Sequence, residues 1–354
     1  MGKLTFEPIW FDSLGAKSSC TLVRTPDVRV LIDPGVAVMQ PSFPASWAKK
    51  LYWEAQGRRA IKKASRKADV IVISHYHWDH CALIGKLGKN AELYKGKVLW
   101  AKNPNRFING SQWSRARLFF ERVCRHFGKK DLVLREPLVT EYEDPMKKLP
   151  LASSKRWGSY AERKRELLDK GRKWFQKLVE KYWNSEPWIP ELKFRDLEVH
   201  WADGREIKIG KTRIKFSEPR FHGLEFDRVG WVFSTTIQFG KEKFLHTSDL
   251  EGVQIEDYKN DIIGGNPNVL VMDGPSTYLF GFIINRINLN RSIENLRDTI
   301  RKTNTKLIIL DHHLLRGKRY RERLKKVYET ADREGKRVIT AAEYLKKVPV
   351  VLKA

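Results

Sequence analysis

Apolar and polar residues follow two different spacings along this chain, and the first of them predicts β-strands. Short runs of β-branched and other apolar residues, each closed by a turn or a polar side chain, recur through the sequence. Residues 1–35 predict a hairpin, because the apolar segments 20–24 and 28–32 flank the turn Thr25-Pro26-Asp27. Its second strand ends at Asp33-Pro34-Gly35, which suits a turn. Further strands are predicted at 70–73, 97–100, 205–216 (a hairpin around Gly210-Lys211), 230–237, 243–249, 269–274, 306–310 and 338–339.

The second spacing, with apolar residues three or four positions apart, predicts helices. Residues 44–67 place apolar side chains on one face and Lys and Arg on the others, and that basic surface is either simply solvated or faces phosphate groups. The sequences Ser159–Glu162 and Thr340–Glu343 match capping boxes, in which a hydroxyl and a carboxylate satisfy each other's free backbone N–H groups. Helices are therefore predicted at 44–67, 159–182, 291–303 and 316–333.

Residues 103–195 differ from the rest of the chain because they are basic and aromatic without a repeated strand pattern. We predict that residues 1–354 form a single domain and that 103–195 are a helical, basic insertion beside the main sheet. Most aromatic side chains of this segment then belong to a core. Trp113, Trp157 and Trp183 are the candidates for stacking on nucleobases.

The chain is strongly basic. It has 68 Lys and Arg against 42 Asp and Glu, a formal net charge of +26 over 354 residues. Such an excess attracts polyanions, including nucleic acid, nucleotides and anionic surfaces. A Lys-rich surface of the kind found in heat-adapted proteins gives the same composition. Both interpretations stay open; nucleic acid or another polyanion is a candidate partner, and the oligomeric state is left unknown.

The sequence carries neither a membrane signal nor a secretion signal. No stretch approaches the roughly 18 consecutive apolar residues of a membrane span. The N-terminal sequence MGKLTFEP has an acidic residue and a proline where a signal peptide needs an apolar run. Cys20, Cys81 and Cys124 are odd in number and widely spaced, so they imply no disulfide framework. We expect a cytoplasmic protein with no membrane partner.

The most informative stretch directly follows the apolar strand 70–73. It reads His75-Tyr76-His77-Trp78-Asp79-His80, and it packs four candidate metal ligands into six positions. Imidazole and carboxylate groups are ligands for Zn²⁺, Mn²⁺ and Fe, and the end of a strand gives them a rigid support. One such histidine is ordinary, but the pattern H-x-H-x-D-H is hard to explain without a metal. The stretch therefore predicts a metal site at the rim of a sheet.

This hexapeptide resembles the signature of the metallo-β-lactamase superfamily. In that superfamily an Asp at an early strand end precedes H-x-H-x-D-H, and a His, a bridging Asp and a last His follow in that order. The sequence fills the order with Asp33, the hexapeptide, His222, Asp249 and His312 or His313. The resemblance implies an α/β fold, a four-layer αβ/βα sandwich in which two sheets pack face to face with helices outside.

The resemblance also implies a role for each of these residues. Asp33 would support the metal ligands from behind. The implied ligands are His75, His77 and His222 for one ion, Asp79, His80 and His312 for the second ion, and Asp249 as the bridge between them. Two divalent metal ions, zinc with manganese or iron as the alternatives, would produce a metal-bridging hydroxide as the nucleophile near neutral pH.

Three positions leave alternatives open. His312 is preferred as the ligand because it comes first after its strand, and His313 then becomes a substrate-side residue, an acid catalyst or a support for the ligands. His246 competes with His222, which we prefer because the superfamily places this ligand in the loop before a strand. Ser248 stands where the superfamily usually has Gly before the bridging Asp.

More narrowly, the sequences Ser111-Gln112-x-x-Arg115-Ala116-Arg117 and Asp311-His312-His313-Leu314-Leu315-Arg316 are similar to those of an archaeal branch of the superfamily. Members of that branch are described only as predicted metal-dependent hydrolases, so the similarity supplies no substrate.

We expect a metal-dependent hydrolase that acts on a phosphodiester or nucleic acid, with Asp79, His313 and Arg316 as catalytic residues. A hydrolase of a small carboxyl thioester, ester or lactone is the first alternative. A metal-containing nucleic-acid-binding protein without turnover is the second alternative. Positive charge is the feature that favours the phosphodiester.

Overall fold

A computed structural model describes residues 3–354 and contains two large β-sheets in that part of the chain. Its strands are β1 (Thr5–Phe11), β2 (Ser19–Arg24), β3 (Arg29–Ile32), β4 (Val70–Ile73), β5 (Lys97–Ala101), β6 (Leu192–Lys193), β7 (Leu197–Trp201), β8 (Glu206–Ile209), β9 (Thr212–Phe216), β10 (Arg220–Phe221), β11 (Trp231–Val232), β12 (Thr235–Phe239), β13 (Glu242–His246), β14 (Val269–Asp273), β15 (Leu307–Asp311) and β16 (Arg337–Ile339).

Helices surround these strands, and within residues 3–354 none of them combines the length and the apolar composition that crossing a bilayer requires. They are α1 (Trp47–Ser65), α2 (Gly110–Val123), α3 (Pro150–Ser154), α4 (Ala161–Leu178), α5 (Glu256–Gly265), α6 (Arg286–Lys302), α7 (Tyr320–Arg323), α8 (Lys325–Arg333) and α9 (Ala341–Tyr344).

Each large sheet is seven-stranded and mixed. Sheet 1 has the order β1-β2-β3-β4-β5-β7-β6, and sheet 2 has the order β16-β15-β14-β13-β12-β9-β8. In sheet 1 the strands β3, β4, β5 and β7 are parallel. In sheet 2 the strands β13 to β16 are parallel. The short ribbon β10–β11 stands apart from both sheets.

Alternation along β3 explains how the layers pack, because successive side chains of a strand point to opposite faces. Val30 and Ile32 belong to a buried cluster that also contains Phe216, Phe244 and Ile309 of sheet 2, so this face lies between the sheets. Leu31 belongs to a second cluster, which includes helix residues such as Ile61, Phe119, Ile293 and Val327. The fold is therefore a four-layer αβ/βα sandwich, and the prediction is confirmed.

The parallel strands bring polar residues to the ends of both sheets. In sheet 1, β3 is followed by Asp33 and β4 by the hexapeptide. In sheet 2, β14 and β15 end at Asp273 and Asp311, which are register partners. Since the carboxyl ends of parallel strands meet at one edge of a sheet, the polar residues of each sheet lie near one another at that edge.

The predicted strands and helices are largely confirmed, with three differences. The strand predicted at 230–237 is divided into β11 and β12 at Ser234. This residue donates its backbone N–H to Ser217 Oγ and its hydroxyl to the Thr247 carbonyl, and so leaves the strand pairing. The helix predicted at 316–333 is divided into α7 and α8 at Leu324. Ser159 lies in a short turn before α4, which begins without a side-chain cap, whereas the capping box at Thr340 is confirmed.

Residues 103–195 contain α2, α3 and α4, and they leave sheet 1 after β5 and return to it at β6 and β7. Trp183 is fully buried and donates its indole N–H to the Ile108 carbonyl at 3.0 Å, so it is not available to stack on a nucleobase. Trp113 instead lies under the guanidinium of Arg117, 3.4 Å from the ring centroid. That this segment is an insertion in a single domain stays a prediction.

Candidate metal centre

The structure brings the sequence-predicted ligands together in three neighbouring groups. Ligand atoms of His75, His77, His222 and Asp249 all lie within 4.8 Å of one another. Ligand atoms of Asp79, His80 and His312 form a second group within the same limit, and His313 joins Asp249 and His312 in a third. Residues as far apart in sequence as 75 and 312 therefore meet in one place.

One carboxylate oxygen, Oδ2 of Asp249, lies at the centre of this arrangement. The Nε2 atoms that surround it are those of His80 at 3.0 Å, His222 at 3.1 Å, His75 at 3.5 Å, His312 at 3.6 Å and His313 at 3.8 Å. Asp249 is buried. This position is the one that the sequence assigns to the bridging ligand.

Facing nitrogen atoms show that the residues fit divalent cations. His75 Nε2 lies 3.0 Å from His77 Nδ1, and His80 Nε2 lies 3.2 Å from His312 Nε2. Two ring nitrogens this close need a shared proton or a common cation. Both oxygens of Asp249 and both ring nitrogens of His222 are buried and make no hydrogen bond within residues 3–354. Imidazole with carboxylate is the donor set that Zn²⁺, Mn²⁺ and Fe accept.

Burial and mutual charge set the protonation of the ligand groups. Burial, followed by the charge of His222, lowers the pKa of His77 to about 3, so this ring is neutral and offers a lone pair. Burial acts to raise the pKa of Asp79, but the charges of His80, His312 and Arg316 outweigh it and lower that pKa. Burial likewise opposes protonation of His312, yet Asp12 and Asp249 raise its pKa to about 10. A cation that binds there must displace this proton.

Asp33 fixes the hexapeptide from behind, as the sequence predicts for it. Its Oδ1 accepts the Ser74 N–H and its Oδ2 accepts the Ser74 hydroxyl, both at 2.7 Å. The same Oδ2 lies 2.9 Å from His80 Nδ1, which leaves Nε2 as the nitrogen that His80 presents to the centre. Carboxylate partners of this kind fix the tautomer and orientation of a ligand histidine.

Asp12 plays the same part for His312 and has no signal in the local sequence. Its Oδ1 lies 2.7 Å from His312 Nδ1, and its Oδ2 accepts a hydrogen bond from Nε of Arg316 at 2.7 Å. Arg316 then points Nη2 toward Asp79 Oδ2 at 3.5 Å. The predicted catalytic arginine thus lies beside the candidate site with its orientation fixed by a buried carboxylate.

Asp273 holds His313 in a similar way and was also not anticipated. It accepts the backbone N–H groups of Leu250 at 3.0 Å and Glu251 at 2.7 Å, and its Oδ2 lies 3.2 Å from His313 Nδ1. His313 therefore presents Nε2 to the centre, as His312 does. The competing His246 points elsewhere, because its Nε2 lies 3.0 Å from the Ser19 carbonyl and its Nδ1 accepts the Ser248 N–H.

Comparison with known proteins places this chain in a family. A family model described as the metallo-beta-lactamase superfamily matches residues 15–97. The UPF0282 protein MJ1629 of Methanocaldococcus jannaschii is 32% identical over 350 residues, which cover 96% of this chain and 95% of that protein. The chain belongs to the UPF0282 family. The UPF0282 protein MK0213 of Methanopyrus kandleri is 31% identical, over 98% of this chain and 96% of that one.

The predicted resemblance to an archaeal branch of the superfamily is confirmed by these relatives. Solved structures are more distant. The metallo-beta-lactamase fold protein YhfI of Bacillus subtilis is 12% identical, with 95% of each chain covered and a TM-score of 0.43. The short form of human tRNase Z is 11% identical, with 88% of this chain and 92% of that one covered and a TM-score of 0.38. At these TM-scores neither likeness bears on the substrate.

The UPF0282 chain has Ser248 at the position before Asp249, where the superfamily usually has Gly. The backbone φ of Ser248 is +58°, in the left-handed region that glycine adopts most easily. The side chain compensates, because its hydroxyl donates to Ser74 Oγ at 2.7 Å and so links the Asp249 loop to the hexapeptide. Asp33 and His312 also have positive φ, at +49° and +50°. Such strained backbone is often concentrated at functional sites.

The candidate site of the UPF0282 chain does not coincide with its large cleft. A cleft of about 1430 Å³ lies between residues 140–151 and the outward side chains of β9, β12 and β13. None of the candidate ligands lines it. The candidate centre is therefore marked by converging ionisable groups and not by a large cavity.

Proposed function

We propose that this UPF0282 protein is a hydrolase that binds two divalent metal ions and cleaves phosphodiesters. The observation that carries the proposal is the ring of five histidine Nε2 atoms, all between 3.0 and 3.8 Å from Oδ2 of Asp249. A protein that merely bound one structural ion would need four ligands and no bridging carboxylate. His75, His77 and His222 would hold one ion, Asp79, His80 and His312 the other, and Asp249 both.

A pair of such ions supplies Lewis acidity and activates water near neutral pH. The chain itself then has three tasks. Asp33, Asp12 and Asp273 orient the histidines. Arg316 presents Nη2 beside Asp79, where a guanidinium can bind an anionic oxygen of the substrate. His313 turns Nε2 to the centre with Asp273 beside Nδ1 at 3.2 Å, and its neutral ring can form a hydrogen bond there, because burial and the charges of Arg316 and His312 lower its pKa.

Charge and an aromatic side chain favour phosphodiesters over small carboxyl compounds as the substrate. The net charge is +26, and exposed cations on α1 include Arg59, Lys62 and Lys63. Trp78, between two of the candidate ligands in sequence, is only half-buried and has the guanidinium of Arg115 5.7 Å from its ring centroid. An aromatic face next to cations is the usual means of holding single-stranded nucleic acid. We infer that single-stranded RNA or DNA is a partner.

A substrate panel tests this proposal. We expect protein loaded with Zn²⁺ or Mn²⁺ to cleave bis(p-nitrophenyl) phosphate and single-stranded RNA, and a chelator to stop both reactions. Activity is measured as nitrophenolate release and as RNA fragments on gels. The same preparations are offered an acyl thioester and a lactone. Turnover of the thioester or lactone without phosphodiester cleavage would contradict the proposed substrate. RNA binding that weakens steeply with salt, without any turnover, would contradict the enzymatic role.

A further inference from the structure

A buried network of ion pairs lies outside the set of candidate ligands. Nη2 of Arg291 donates to Glu225 Oε1 and to Glu256 Oε2, each at 2.6 Å. Nζ of Lys164 donates to Glu225 Oε2 at 2.5 Å. All four side chains are buried, and the ring of Trp157 lies against both cations. The network therefore joins α4, the loop between β10 and β11, α5 and α6.

Stability alone is a poor explanation for such a network. Each buried charge costs several kcal/mol of lost hydration, and well-packed apolar side chains often replace buried ion pairs without loss of stability. What the network does provide is fixed geometry. Burial acts to raise the pKa of Glu225, but the charges of Arg291 and Lys164 outweigh it and hold that pKa at about 2. Glu225 is thus a charged anchor at near-neutral pH.

The segment that Glu225 anchors is the loop that carries His222. Glu225 follows His222 by three positions, and the loop ends at β11. Next to Glu225, Phe226 packs against Gly171 of α4 so closely that a Cβ on Gly171 would lie 2.5 Å from the Phe226 side chain. Helix α4 therefore contacts this loop at two consecutive residues, through a charge and through close packing.

Helix α2 holds the far side of the same loop. Asn109, at the start of α2, donates its side-chain amide to the carbonyls of Arg228 at 2.6 Å and Val229 at 3.0 Å. Gln112 donates its amide to the Val229 carbonyl at 2.9 Å. Both helices lie in residues 103–195, so this segment contacts the loop from Glu225 to Val229.

His222 depends on its loop for its orientation. Its Nε2 faces Oδ2 of Asp249 at 3.1 Å, but no carboxylate holds Nδ1 from behind, since Glu251 Oε1 lies 3.7 Å from it, beyond hydrogen-bond distance. By contrast, Asp33 holds Nδ1 of His80 and Asp12 holds Nδ1 of His312. The backbone N–H of His222 donates to the Gly230 carbonyl at 3.0 Å.

We propose that helices α2 and α4 position His222, through Glu225 and Phe226, and that they thereby set the affinity of one of the two metal positions. The inference rests on the proposed function, because it presupposes that His222 is a ligand. Lys164 is a positioning residue in this account and touches neither substrate nor metal. Residues 103–195 then serve the metal centre directly and are not only an attached surface.

The test compares two lysines of the same network in the full-length protein. Lys164→Met removes a partner of Glu225, whereas Lys155→Met removes a partner of Glu256 only, at 2.8 Å. Zn²⁺ affinities are measured by competition with a chromophoric chelator, and the ligand field is followed by visible absorption of the Co²⁺ form. We expect Lys164→Met to weaken the affinity for one of the two ions roughly ten-fold or more and to leave the affinity for the other unchanged. Lys155→Met should retain both affinities, and Lys164→Arg should restore the wild-type spectrum.

A second variant acts on the same loop without touching the charges. Gly171→Ala pushes on Phe226, and we expect the same selective loss of one ion, with circular dichroism checking that each variant is folded. Two wild-type affinities in folded Lys164→Met or Gly171→Ala would overturn the inference. An equal loss of affinity for both ions would also overturn it, since general destabilisation of the protein gives that result. If the wild-type protein binds no Zn²⁺, the proposed function itself fails, which is a different result.

Discussion

Asp249→Asn is expected to abolish binding of both metal ions, the largest effect of any single substitution in the centre. Its Oδ2 is the atom on which five histidines converge, so an amide in its place removes a ligand from both positions at once. Changing only an outer partner of a metal ligand costs about 10- to 100-fold in affinity. Loss of the shared ligand should therefore exceed about 100-fold for each ion.

Two readouts check the Asp249 prediction without relying on catalysis. Addition of Zn²⁺ should raise the Tm of the wild-type protein, because a ligand that binds only the folded state stabilises it. The Asp249→Asn variant should show no such rise, and elemental analysis should find it metal-free. Asp332→Asn, at an exposed carboxylate on α8, is the matched control and should behave as wild type. A variant that still binds two ions would show that Asp249 is no bridge.

Asp79→Ala is expected to remove one ion and to retain the other. Asp79 belongs to the group with His80 and His312, whose ligand atoms lie within 4.8 Å of one another, and it is absent from the group around His75. A metal ion acting as a Lewis acid is worth several kcal/mol of transition-state stabilisation. Its loss should lower kcat for phosphodiester cleavage by about 10³-fold or more.

The stoichiometry separates Asp79 from Asp249. Elemental analysis of Asp79→Ala should give one Zn²⁺ per chain, with Asp332→Ala as the control at two. Protein stability should change little, since Arg316 keeps its partner Asp12 when Asp79 is gone. Retention of wild-type kcat by Asp79→Ala, or loss of both ions, would contradict the assignment of Asp79 to the second position alone.

The order of ligands along the chain was predictable because the superfamily resemblance implies it and each of them follows a predicted strand. A buried apolar strand is visible in sequence, and in a parallel sheet its carboxyl end lies at the same edge as the carboxyl ends of its neighbours. His75 follows β4 and His312 follows β15 in this way. The hexapeptide then gave the superfamily, and with it the αβ/βα sandwich. The preference for His222 over His246 agrees with the geometry, although its role as ligand stays a proposal.

The carboxylates behind the ligands were not predictable from local pattern. Asp12 meets a histidine 300 positions away, and Asp33 is the only such partner that a family motif marks. Asp273 ends a strand like many other residues, and nothing in its surroundings signals that it faces His313.

The network around Arg291 was invisible in sequence for the same reason. Its four charged members come from four separate elements, and each one alone resembles an ordinary surface residue. The sequence identified 103–195 only as a basic, helical insertion with a few candidates for stacking on nucleobases. The contacts of α2 and α4 with the His222 loop support a role at the metal centre instead.

Anomalous scattering at the zinc absorption edge, from crystals of the zinc-loaded protein, is the most direct test that scattered imidazoles and carboxylates converge on a shared ion pair. The account predicts two peaks per chain, about 3.5–4 Å apart. One should lie about 2.0–2.2 Å from ligand atoms of His75, His77 and His222, and the other at the same distance from those of Asp79, His80 and His312. Asp249 should lie between the two peaks. A single peak, or peaks away from these side chains, would contradict it.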